Sequence, residues 1–62
     1  MSKDPYTVTV NGRVWESCGS LRGGIRLWKT LANNSLFKNC SVKLFDENWK
    51  VIREKKPEQE AH

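Results

Sequence analysis

The dipeptide Asn11-Gly12 constrains this chain more than any other feature. It separates the alternating, β-branched run Tyr6-Thr7-Val8-Thr9-Val10 from the returning run Arg13-Val14-Trp15-Glu16. Asn and Gly tolerate the positive φ angles of a tight hairpin turn, so residues 6–17 are predicted to form a β-hairpin. A two-residue loop would pair Val8 with Trp15, and a three-residue loop with a glycine bulge would pair Val8 with Val14. The two registers send Val14 and Trp15 to opposite faces, and the pattern leaves both open.

After the hairpin the period changes. Ser20 is a suitable N-cap, and a helix is predicted from about Leu21 to Ala32 or Asn33, with Asn33-Asn34 as the stop. At 100° per residue, Leu21, Gly24, Ile25, Trp28, Leu31 and Ala32 share one face, while Arg22, Arg26, Lys29 and Asn33 share another. Gly23-Gly24 implies either an irregular first turn or a helix seated close on its sheet. Residues 41–54 read as a second hairpin. Ser41-Val42-Lys43-Leu44-Phe45 leads into an Asp46-Glu47-Asn48 turn, with Asn48 the residue best suited to positive φ, and Trp49-Lys50-Val51-Ile52-Arg53-Glu54 returns.

The expected architecture is therefore α+β: a single ββαββ domain over residues 6–54, a four-stranded sheet with one helix on one face. Residues 1–5 are expected to be a flexible N-terminus and residues 55–62 a disordered tail. With 62 residues the chain holds one domain at most. A chain of this size buries only about 60% of the surface it exposes when unfolded. One helix leaves the other sheet face uncovered, and Phe45, Trp49, Val51 and either Val14 or Trp15 are candidates to lie there. Trp15, Phe45, Trp49 and Val51 are the predicted interface residues, and a homodimer through this face is expected.

Charge narrows the choice of partner. The chain carries 11 Lys and Arg against seven Asp and Glu, a net charge of +4. Between Glu16 and Asp46 there is no acid, and there are five bases: Arg22, Arg26, Lys29, Lys38 and Lys43. Such a segment favours an anionic partner and argues against an acidic mimic of DNA. Arg22, Arg26 and Lys29, at i, i+4 and i+7, would point away from the sheet and could follow phosphates, with Lys38 and Lys43 extending the surface.

Most catalytic chemistries fail on inventory. Cys18 and Cys40 fall at opposite ends of a ββαββ sheet, too far apart for a disulfide, and are expected to be reduced. Two separated Cys and one His at position 62 cannot assemble a metal site, and a terminal His62 cannot orient a nucleophile. Gly19-Ser20-Leu21-Arg22-Gly23-Gly24 has the glycine spacing of a phosphate-binding loop, but Ile25-Arg26 stands where Lys-Ser/Thr is required. No cofactor, metal or membrane span is expected, and with no apolar leader in Met1-Ser2-Lys3-Asp4-Pro5 the expected location is cytoplasmic. The plan has a general likeness to many small bacterial and phage proteins, but no motif names a family. The expected function is a non-enzymatic module that contacts nucleic acid through its basic helix. The alternative is a small inhibitor or adaptor that docks on a larger protein through its aromatic sheet face.

Overall fold

The computed structural model describes residues 4–58. Elements follow in the order β1 (Tyr6–Val10), β2 (Arg13–Cys18), α1 (Leu21–Ala32), a 3-10 turn (Ser35–Phe37), β3 (Val42–Phe45) and β4 (Val51–Lys55). The four strands form one sheet in the order β2-β1-β3-β4, and every adjacent pair is antiparallel. The α+β, ββαββ expectation holds. β2 and β3 flank β1 and run parallel to each other, so α1 carries the chain across β1.

The Asn11-Gly12 turn is of the two-residue kind, with φ of 55° and 83°. Asn11 does a second job. Its N–H donates to the Ser41 carbonyl at 2.7 Å and its Oδ1 accepts from the Ser41 N–H at 3.0 Å. These bonds tie the tip of the first hairpin to the entry of β3 and so bring β1 beside β3. Val10 pairs with Arg13 and Thr9 with Val14, after which the register shifts and Val8 pairs with Glu16. Trp15 is the extra residue of a β-bulge. Neither partner foreseen for Val8 is realised, because a bulge follows a turn that is itself regular.

Val8, Val10, Val42 and Leu44 point to the helix and, with Leu31, make up the buried apolar core. Tyr6, Ile25, Leu27, Trp28, Phe37, Cys40 and Ile52 pack around it half-buried. Leu21, predicted on the inner helix face, is exposed instead, and Leu27 takes part in the packing. Ser20 caps α1 as expected, its Oγ accepting from the Gly23 N–H at 3.1 Å. The Trp28 indole N–H donates to the Val42 carbonyl at 3.0 Å, fixing the middle of the helix to β3. A Cβ added to Gly24 would lie 3.0 Å from Leu44 Cδ1 and 3.5 Å from Tyr6 Cβ. The glycine therefore serves close helix–sheet approach, within a regular first turn.

The second hairpin differs from expectation at its turn. Asp46 Oδ1 accepts from the N–H groups of Asn48 and Lys50 at 2.8 and 2.9 Å, and the Asp46 N–H donates to the Lys50 carbonyl at 2.9 Å. This longer loop puts the positive φ on Trp49, at 62°, rather than on Asn48, and delays β4 to Val51. Phe45 pairs with Val51 and Leu44 with Arg53, so Ile52 is the extra residue of a second bulge and turns to the core.

Lys55, placed in the tail by the sequence reading, is the last residue of β4. It pairs with Val42, and its ammonium donates to the carbonyls of Phe37, Lys38 and Cys40 at 3.2, 2.9 and 3.2 Å. Three N–H donors thus meet three carbonyls of the helix-to-β3 connection. The Glu58 N–H donates to the Lys38 carbonyl at 2.7 Å, so residues 55–58 stay on the body of the domain. Residues 1–3 of the expected flexible N-terminus and 59–62 of the expected tail, His62 included, lie outside the described residues.

Two measurements check this account. Gly24→Ala gains about 1 kcal/mol of helix propensity, but Leu44 is fully buried and has no room to withdraw. Net destabilisation of about 1–3 kcal/mol is expected in urea unfolding, and unchanged or increased stability would refute the close approach. Asn11→Gly keeps the turn but deletes the Oδ1 acceptor, and is expected to cost about 1 kcal/mol. Asn11→Ala also forces a Cβ into positive φ, and should cost measurably more in the same assay.

Candidate nucleic-acid interface

α1 places Arg22, Arg26 and Lys29 on its outer surface because Gly24, Ile25, Trp28 and Leu31 are held inward. All three basic residues are exposed. At about 1.5 Å rise per residue they form a row about 10 Å long. Among the described residues none of the three makes an ion pair; the pair found there is Lys43–Glu54.

Arg22 sits in the first turn of α1, which holds no acidic residue. That end of a helix carries partial positive charge and favours acids, whereas Lys29 in the last turn suits the dipole. Arg22 thus stands where helix stability alone would select the opposite charge. The adjacent backbone is less open than the glycine spacing implied. The Gly23 N–H is capped by Ser20 Oγ, and the Gly24 N–H donates to the Ser20 carbonyl at 2.9 Å.

The other two predicted contacts do not join the row. Lys38 is exposed but lies beyond the 3-10 turn, where its carbonyl accepts from Lys55 and Glu58. Lys43 alternates with Val42 and Leu44, so it faces away from the helix, and its Nζ stands 3.9 Å from Glu54 Oε2. It belongs to the opposite side of the sheet.

On that open side, three of the four predicted interface residues come together. Phe45 and Val51 are cross-strand partners, and the Trp49 ring lies 5.5 Å from the Phe45 ring at a tilt of 56°. Val14, 62% exposed, lies on the same side at the far edge, opposite Thr9, whose partner on β3 is Lys43. Trp15 does not. With Val14 opposite Thr9, alternation puts Trp15 on the helix side, where its ring meets Phe37 edge-on at 5.3 Å. The open face is thus Thr7, Thr9, Val14, Ser17, Lys43, Phe45, Val51 and Glu54, with Trp49 at its end. Glu54 was not foreseen there, since its placement depends on the register set by the Ile52 bulge.

Both cysteines are free. Cys18 pairs with Tyr6 at one end of β1, and Cys40 adjoins Ser41 at the Asn11 end, so they sit at opposite ends as expected. Burial pushes the Cys18 thiol up, and the carboxylates of Glu16 and Asp4 push the same way. Among the described residues no three His, Cys, Asp or Glu side chains group as metal ligands, and no helix is long and apolar enough to cross a membrane. No family model, no curated protein and no solved structure matches the chain.

The Cys18 environment has a measurable outcome. Its thiolate forms at higher pH than an ordinary thiol, so its iodoacetamide alkylation, followed by peptide mass, should rise later with pH than that of a free cysteine peptide. A midpoint at or below that of the peptide would contradict the burial of the thiol and the placement of Glu16 and Asp4 near it.

Proposed function

We propose that the protein is a non-catalytic, cytoplasmic binding module that contacts the phosphate backbone of nucleic acid through the outer face of α1. The observation that carries this reading is the row Arg22, Arg26, Lys29, exposed and without an ion-pair partner among the described residues. Its position within a segment that lacks any acid from Ser17 to Phe45 adds support. A row about 10 Å long is long enough to meet neighbouring phosphates of one strand. Backbone contact carries no sequence information, and little base selectivity is expected. A second reading, an adaptor that docks on a larger protein, draws on the exposure of Trp49 beside Phe45.

The test is fluorescence anisotropy with a mixed-sequence DNA duplex and a mixed-sequence single-stranded RNA, titrated from low to physiological salt. Each phosphate contact contributes about −0.9 to the slope of log K against log salt on duplex DNA. Arg26→Ala should flatten the slope by about that amount, and the triple change of Arg22, Arg26 and Lys29 to Ala by two to three times as much. Arg22→Glu separates function from folding: it suits the helix dipole, so the melting temperature should hold or rise while binding falls. No binding at low salt, or an unchanged slope in the triple variant, refutes the proposal.

A further inference from the structure

The open sheet face is the largest feature that the basic helix leaves unexplained. Its exposed apolar side chains are Trp49 at 61% and Val51 at 48%, beside half-buried Phe45, and Val14 at the far edge, with buried Thr7 and Thr9 between them. No element of the chain covers it among the described residues. Three observations bear on what does.

The first is the conformation of Trp49. A bulky residue at φ 62° is a rare backbone state that costs roughly 1–2 kcal/mol. The Asp46 bonds to the N–H groups of Asn48 and Lys50 hold the loop in this state. They hold it there to lay a mostly exposed indole on Phe45. Burying the indole against a partner would offset that cost, whereas leaving it in water does not.

The second is charge. The face carries one cation and one anion, Lys43 and Glu54, beside each other across β3 and β4. It is neutral in a chain of net charge +4. A nucleic acid would be drawn to the helix side instead. A two-fold axis running between β3 and β4 sets Lys43 of one copy against Glu54 of the other, so this end of the face is complementary to itself.

The third is the state of the sheet edges. Both edge strands, β2 and β4, carry a bulge, at Trp15 and Ile52. Bulges interrupt the row of edge hydrogen-bonding groups and blunt strand-to-strand addition. Association is thereby directed from the edges to the face.

We infer that the β3–β4 end of the open face is covered by a second copy of this chain, packed face to face, with Phe45, Val51 and Trp49 in the contact and Lys43 and Glu54 exchanging partners. Phe45, Trp49, Val51, Lys43 and Glu54 make a small patch, and two such patches bury less than about 1,000 Å² in total. That is the size class of weak, reversible dimers.

Sedimentation equilibrium of the full chain tests this without any nucleic acid, so its outcome is independent of the helix reading. The mass should rise from one chain to two as concentration increases through roughly the micromolar to hundred-micromolar range. Trp49→Gly relieves the backbone while deleting the indole, so it should remain folded by amide NMR dispersion yet stay monomeric. Lys43→Glu and Glu54→Lys should each associate at least tenfold more weakly alone, and mixing the two variants should restore a dimer. A wild-type monomer at several hundred micromolar, as a face reserved for a different protein would give, overturns the inference. So does a Trp49→Gly variant that dimerises as the wild type does, or charge variants whose mixture associates no better than either alone.

Discussion

The approach of Gly24 to Leu44 is the constraint on which the rest of the structure depends. Leu44 lies on β3, a central strand, and is fully buried. Where the helix would carry a Cβ, it meets this side chain at 3.0 Å. A longer side chain at position 24 would lift α1 and open the small core of Val8, Val10, Leu31, Val42 and Leu44. Close seating also fixes which way the helix is turned. With Gly24, Trp28 and Leu31 inward, Arg22, Arg26 and Lys29 have only the outside left. The charge row is thus a geometric consequence of the same contact that makes the core.

The 12-residue helix covers one face of a four-stranded sheet, and the chain has no second helix for the other among the described residues. Within this limit the two bulges act in a common way. Each adds a residue to an edge strand and resets the side chains beyond it, bringing Glu16 opposite Val8 and Glu54 opposite Lys43, while Trp15 stays on Phe37 and Ile52 on the core. The helix layer is widened at both edges by these two side chains. Lys55 adds to this by tying β4 to the helix-to-β3 connection through three carbonyls. A domain with so few buried residues relies on such ties, because burial alone gives a chain of this length little surplus.

What the sequence disclosed follows from what periodicity encodes. Asn11-Gly12, the period of α1, and the alternation of Val42, Lys43, Leu44 and Phe45 each report a local preference, and the structure agrees with each. The three-residue face of Phe45, Trp49 and Val51 was also legible, since each is apolar at a position the helix cannot reach. Register was not legible. A bulge has no local signature when the extra residue is a tryptophan or an isoleucine, because the demand that creates it comes from across the sheet. Glu54 therefore came opposite Lys43 unannounced, whereas the side taken by Trp15 turned on the choice between two loop lengths that the sequence left open. The positive φ fell on Trp49 instead of Asn48 because Asp46 caps the loop from within, a hydrogen-bonding choice invisible to residue preference. Lys55 reads as part of a polar tail until the carbonyls it binds are brought to it.

The separation of the two surfaces has a consequence for how they could act together. The basic row lies outside the helix and the aromatic face lies on the far side of the sheet, so one strand of nucleic acid cannot use both. If two copies pack sheet to sheet, their helices become the outer layers and the rows point in opposite directions. Such a dimer cannot clamp one duplex segment from both sides, but it can hold two segments, each through a small set of phosphate contacts. Three contacts per row make each engagement weak and sensitive to salt. Joining two of them makes the second intramolecular, which raises the overall strength without any new contact. Because the sheet interface is itself small, the coupling runs both ways: segments held close together would favour the dimer, and the dimer would hold the segments close.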